Sequence, residues 1–290
     1  MTHGAVLDME VDATIFARTE LPHLGIAPLT SMFLFDATDR TRFSDFRPNV
    51  HDSDGLLIHN GAGEIIWRPL ANPATLEVSA FGDTNPKGFG LMQRKRAFDD
   101  YNDLEALYHK RPSVWITPRG DWGAGAVTLV EIPTDLEIYD NIVAYWRPAA
   151  PLAAGGTQRL RYNLQWGADP APRRPQVLRV LHTAMGGRPE GGLVMVIDFS
   201  DGPSLPANLD EIDVVLRSSH GTTTPGIVDQ LRQGIGKTTR TDIMNGQDRT
   251  ILSQRDATID HLLTTTLHLR VAALYRGEIQ LAVPGATGNR

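Results

Sequence analysis

Two acidic stretches carry the side chains best suited to chemistry. The first runs Asp45-Phe46-Arg47-Pro48-Asn49-Val50-His51-Asp52-Ser53-Asp54-Gly55. Asp52 and Asp54 are two apart, so on extended backbone both carboxylates leave one face. Two carboxylates beside an imidazole suit general acid–base catalysis, or a divalent metal held as in the Asp-x-Asp element of sugar-nucleotide transferases. They equally suit an Asx turn that ends a strand before Gly55. The second stretch, Glu131-Ile132-Pro133-Thr134-Asp135-Leu136-Glu137-Ile138-Tyr139-Asp140-Asn141, puts four carboxylates in ten residues after an apolar run. It reads as a solvated acidic loop, or as a site loop on a rigid β-scaffold in which one acid is held protonated. A third group is aromatic: Trp67, Tyr108, Trp115, Trp122 and Trp146. Their rings suit stacking on sugars, and equally suit the core of a sandwich.

Other chemistries lack their motifs. Gly120-Asp121-Trp122-Gly123-Ala124-Gly125 has no Lys-Ser/Thr to make a phosphate loop, and no Gly-x-Ser-x-Gly elbow occurs. With no cysteine, thiol nucleophiles, disulfides and zinc–thiolate or iron–sulfur centres are excluded. No cofactor is called for. Net charge is −6, and 24 of the 28 basic residues are arginine, so no broad basic face suits a nucleic acid. The apolar runs are strand-sized, well short of the roughly 18 residues that span a bilayer. Met1 to Ala5 shows neither a basic nor an apolar export region. Acids with aromatics, without metal or nucleophile, fit a carbohydrate-active protein best.

The elements that must position these residues are strands. Leu7, Met9, Val11, Ala13 and Ile15 alternate with polar residues, as do Leu160, Tyr162, Leu164 and Trp166. Between them lie short β-rich runs: 31–35, 56–59, 64–67, 76–81, 88–93, 113–117, 126–132 and 142–146. Turn pairs such as Asn60-Gly61, Asn72-Pro73 and Asn85-Pro86 separate them. This predicts an all-β antiparallel sandwich or barrel. One helix is expected over 96–108, where Phe98, Tyr101, Leu104 and Tyr108 fall near helical spacing. The prolines of the Gly167–Pro175 stretch predict a linker. Strands resume at 193–199, 212–217, 267–271 and 278–283, while the pattern weakens over 218–253.

Several of these segments resemble the periplasmic glucan biosynthesis family, OpgG/OpgD (also called MdoG). They include Leu24 to Phe35, Phe46-Arg47-Pro48 with His51-Asp52-Ser53, and Ile66-Trp67-Arg68-Pro69-Leu70. Further blocks are Asn85 to Leu91, Arg111-Pro112-Ser113, Val130 to Thr134 and Asp140 to Trp146. The blocks run collinearly from about residue 5 to residue 167 and fade after residue 217.

The resemblance implies a large galactose-mutarotase-like β-sandwich, incomplete here, followed by a small immunoglobulin-like β-domain. The expected boundaries are 1–167 for the sandwich, 168–179 for the linker and 180–290 for the second domain, divergent after about 218. Full-length members carry a signal peptide and more of the sandwich before the equivalent of Leu7. The implied setting is the periplasm, and the implied partners are β-1,2-linked glucan and the inner-membrane glucan synthase. The implied activity is inverting endo-hydrolysis, with Asp140 as general acid and Asp52 as general base. Tyr108 and Glu137 match residues near the scissile bond, and Trp67, Arg68 and Arg94 are expected glucan contacts. Inversion needs two carboxyls about 6.5–9.5 Å apart, or a longer spacing bridged by a relay. Asp140 is then expected to be raised in pKa by burial or by Glu137, with Asp52 ionised. The alternative is a non-catalytic glucan-binding or scaffold protein. A sugar-nucleotide transferase using Asp52 and Asp54 would depend on metal.

Overall fold

A computed structural model describes residues 6–172 throughout, together with eight strands between residues 180 and 282. Two compact units divide the chain, Met1–Pro172 and Arg173–Arg290. In the first, period-two sequence becomes twelve strands: β1 (Leu7–Phe16), β2 (Ile26–Ser31), β3 (Phe33–Phe35), β4 (Val50–His51), β5 (Gly55–His59), β6 (Ile65–Pro69), β7 (Glu77–Thr84), β8 (Gly88–Met92), β9 (Ser113–Pro118), β10 (Ala124–Glu131), β11 (Ile142–Pro148) and β12 (Thr157–Gly167).

Ten of them form an antiparallel sandwich, and β3 and β4 pair in a small sheet of their own. One sheet has the order β1-β12-β9-β8-β5-β6, the other β2-β11-β10-β7. Inward residues of both sheets make one core, with Leu56, Phe89, Leu91, Ile116 and Leu160 facing Leu29, Val127, Leu129, Ala144 and Trp146. Gly90 permits close strand approach in the first sheet, since a Cβ there would sit 2.1 Å from the Val114 carbonyl. On β1 the apolar side is only partly covered: Val11, Ala13 and Ile15 are half-buried, while Leu7 and Met9 are exposed.

A second apolar cluster lies under the loops at one end of the sandwich. Met32, Leu34, Phe35, Val50, Tyr101 and Tyr108 are buried together there. The segment 96–108 that helical spacing assigns to a helix instead holds two single 3₁₀ turns, Phe98–Asp100 and Tyr108–Lys110. Asn102 and Leu107 take positive φ (54° and 53°), which ends any helix. Leu104 is 80% exposed, so the apolar residues do not line one face.

Residues 168–172, expected as linker, pack on the first unit. Ala171 is buried with Met92 and Trp115, and the Ala168 carbonyl accepts from Arg96 at 2.7 Å. Residues 173–179 lie outside the described set. In the second unit, β13 (Val180–Gly187), β14 (Leu193–Phe199), β19 (Thr265–Ala272) and β16 (Ile227–Arg232) make an antiparallel sheet in the order β13-β14-β19-β16. β15 (Asp213–His220) pairs with β20 (Tyr275–Ala282), and β17 (Thr238–Met244) pairs with β18 (Gln247–Ser253). The weakly patterned 218–253 segment therefore contains strands.

Candidate functional site

Between β4 and β5 the chain bends, and the bend separates the two aspartates. The Asp52 amide donates to the Met32 carbonyl and the Asp54 amide to the Met92 carbonyl, both at 2.8 Å. The alternation of an unbroken strand is lost, so the two side chains part. Asp54 is buried and accepts from the backbone amides of Arg94 and Lys95. Burial opposes its charge, but His51, the Lys95 ammonium (3.5 Å) and Arg94 together more than offset that and hold its pKa low. His51 is buried too, which pushes its imidazole down to about 4. It is neutral at pH 7, stacked on Phe33 at 5.4 Å and edge-on to Tyr101. Asn49 completes this layer, accepting from Lys95 Nζ at 2.8 Å and donating to the Asp100 carbonyl. Asp54 and His51 are thus anchors beneath the surface, and no face presents both aspartates to a metal.

Asp52 remains partly open. Burial raises its pKa, Arg111 Nε at 3.2 Å lowers it, and the charge of Asp140 raises it again. The carboxyl that burial pushes up is therefore the expected base. Asp140 is exposed and lacks the burial expected of the acid. The charge of Asp140 nevertheless reaches Asp52 across 88 positions of sequence. Arg111 also lies over the Tyr108 ring, 5.6 Å from its centroid. The Tyr108 hydroxyl donates to Glu137 Oε2 at 3.2 Å, and burial with that carboxylate lifts its pKa well above the usual phenol range. It is a fixed donor. Asp52, Tyr108, Glu137 and Asp140 are brought to one region of surface by the β4–β5 bend, the second 3₁₀ turn and the loop after β10.

That loop, 132–141, is pinned at its base by two buried carboxamides. The Asn141 side chain accepts from the Phe33 amide (2.8 Å) and donates to the Phe33 and Ile132 carbonyls (3.0 Å each). Asn72 donates to the Leu34 (3.0 Å) and Thr134 (2.7 Å) carbonyls and accepts from the Thr134 amide. Each carboxamide replaces backbone pairing that an irregular loop cannot supply. A recess of about 250 Å³ adjoins Glu137, lined by Phe35, Phe43, Asp45 and Arg47 among others. Neither Asp52 nor Asp140 lines it.

Trp67, Arg68 and Arg94 have partners of their own. Neighbours on one strand, Trp67 and Arg68 point to opposite faces of the first sheet. Trp67 packs with Leu57, Met92 and Trp115, and the Arg94 guanidinium lies 4.1 Å from its ring centroid. The Trp67 ring fills the space where a Gly55 Cβ would stand, 2.3 Å away. Arg68 crosses inward to the fully buried Glu131, at 2.8 Å, whose other oxygen accepts from the Ala71 amide. Trp115, Trp122 and Trp146 are buried. Sequence reasoning passed over Arg47, Asn72, Arg111 and Asn141. All but Asn72 stood in the family-like blocks, and Asn72 served only as a turn mark.

The residues 1–259 match the family model described as "Periplasmic glucan biosynthesis protein, MdoG". Among curated relatives, "Glucans biosynthesis protein G" of Vibrio cholerae (O395) is 54% identical over 217 residues, 73% of this chain and 39% of the relative. The protein of that name from Shewanella sp. W3-18-1 is 50% identical over 210 residues, 71% of this chain and 38% of its own. That from Shewanella frigidimarina is 50% identical over 230 residues, covering 78% and 40%. The chain spans about two fifths of the length of these relatives. No helix among the described residues is long and apolar enough to cross a membrane. This chain belongs to the periplasmic glucan biosynthesis protein family, MdoG.

Proposed function

We propose that this chain takes part in processing periplasmic glucan by inverting endo-hydrolysis of a β-1,2-linked backbone. Asp140 serves as general acid, protonating the leaving oxygen. Asp52 serves as general base, activating water on the opposite side of the sugar directly or through a hydroxyl relay. Tyr108 and Glu137 orient the sugar between them, and Arg111 keeps Asp52 ionised. The observation that carries this reading is the convergence of Asp52, Tyr108, Glu137 and Asp140 from three separate segments. Trp67 and Arg94, stacked on each other, form an outlying contact of a long glucan, and Arg68 supports the site through Glu131. The second unit is read as immunoglobulin-like, which its antiparallel four-stranded sheet supports, and the inner-membrane glucan synthase as a partner.

The purified chain incubated with linear β-1,2-glucan is expected to release shorter oligosaccharides, with inverted anomers in the first minutes by NMR. Asp140→Asn is expected to lower turnover roughly 10²–10⁴-fold. Full activity in Asp140→Asn would defeat the assignment. Binding of glucan without any new reducing ends would favour the non-catalytic, scaffold reading, to which the exposure of Asp140 lends support.

A further inference from the structure

Three loops meet at one guanidinium. Arg47, with a side chain only 14% exposed, sits between Asp45, Asp103 and Glu137. Its Nε and one terminal nitrogen fork onto Asp45 (2.8–3.3 Å), two residues earlier, while its own amide also donates to Asp45 at 2.9 Å. That local fork fixes the plane of the group. The remaining terminal nitrogen then faces two distant carboxylates, Asp103 at 2.6 Å and Glu137 at 2.9 Å. Each carboxylate does a second task. Asp103 accepts from the amides of Glu105 (2.8 Å) and Ala106 (2.7 Å), shaping the turn that leads into Tyr108. Glu137 Oε2 accepts from the Tyr108 hydroxyl.

We propose that Arg47 is a positioning residue, a clamp that sets Glu137 and, through it, the Tyr108 hydroxyl and the loop bearing Asp140. The proposal deepens the hydrolytic reading above and rests on it for its kinetic arm. The charge balance supports it. Three carboxylates surround one cation, so without Arg47 they repel one another, and Glu137, held otherwise by the Tyr108 hydroxyl, is the one best able to swing away, since two backbone amides hold Asp103. Lysine cannot replace the arrangement fully, because a single ammonium cannot fork onto Asp45 while also reaching two other carboxylates. Arg47 need touch no sugar to matter, since a displacement of about 1 Å at the reacting groups costs on the order of 10²-fold in rate.

The test is a double-mutant cycle on the whole chain with β-1,2-glucan: wild type, Arg47→Met, Glu137→Gln, the double variant, and Arg47→Lys. Arg47→Met is expected to lower kcat roughly 10–100-fold with KM within about threefold, and Arg47→Lys to recover part of the loss. In the Glu137→Gln background Arg47→Met should cost under about threefold more, because residues that act as a unit are not additive. Equal losses in both backgrounds, or a raised KM with unchanged kcat, would overturn the clamp. Amide hydrogen exchange decides it without turnover. Arg47→Met should speed exchange over 103–108 and 133–141 and leave β9 and β10 unchanged. Unchanged exchange in both loops, or faster exchange throughout the sandwich, would overturn it. If the wild type leaves glucan intact, the hydrolytic reading fails, and the exchange result still decides the clamp.

Discussion

Asp52 is held in tension by its neighbours. Burial and the charge of Asp140 favour its neutral form, and Arg111 favours its ionised form. A general base works ionised, so activity falls as pH drops through its pKa. Replacing Arg111 by Met removes the one charge that pulls this pKa down, so the acidic limb of kcat/KM should move to higher pH. The effect on stability has a definite sign. A carboxyl whose folded pKa is raised takes up a proton more readily when folded, so its ionisation costs stability as pH rises above the ordinary carboxylate value. Arg111→Met should therefore melt lower than wild type at pH 7, with the gap closing toward pH 3. A limb that stays in place in a pH–rate profile would show that Asp52 is not the base it reports. Little of this tension could be read in the sequence. Spacing alone made Asp52 and Asp54 equivalent, whereas the bend at Ser53 leaves one in the site and buries the other against Lys95.

The elements divide into those that repeat and those that only support. Period two identified β1 and β12, because alternation is the direct signature of a sheet with one buried face, and short β-rich runs marked the strands between them except β2 and β4. The 96–108 segment misled because near-helical apolar spacing arose from scattered residues, while Asp103 and the left-handed Asn102 and Leu107 shape turns there. Strands within 218–253 went unread because Thr, Gly and Gln give no apolar rhythm. The carboxamides under the acidic loop were equally invisible, since their role appears only when β3, β11 and the 70–72 segment come together. Asn141 makes the point testable. In Asn141→Asp the shape persists, but an acceptor oxygen replaces the donor that faces the Phe33 and Ile132 carbonyls. Leaving those buried groups unpaired against a carboxylate is expected to destabilise the chain by about 2–4 kcal/mol, read by urea unfolding. Activity should fall further than the unfolded fraction explains, since Asp140 is its neighbour.

At the scale of the molecule, family membership was legible because its blocks are collinear through the first unit, and Asp52 and Asp140 lie within them, while Tyr108 and Glu137 fall between them. What the order of blocks does not disclose is how the sandwich closes. Its outermost strand in the larger sheet, β1, pairs along its whole length with β12, from Leu7 opposite Trp166 to Phe16 opposite Thr157. Non-local pairing of that kind predicts refolding on the order of milliseconds to seconds rather than microseconds. Ile15→Ala, at a residue packed against the core from β1, should then speed unfolding more than it slows folding in stopped-flow experiments. About 140 residues separate Phe16 from its partner Thr157, so β1 leaves the ribosome long before β12 does. Until then the edge of β1 that β12 will cover offers a row of unmatched amides and carbonyls, beside the exposed Leu7 and Met9, to any passing chain. Adding a chaperone that holds extended apolar peptide is expected to raise the yield of refolded chain.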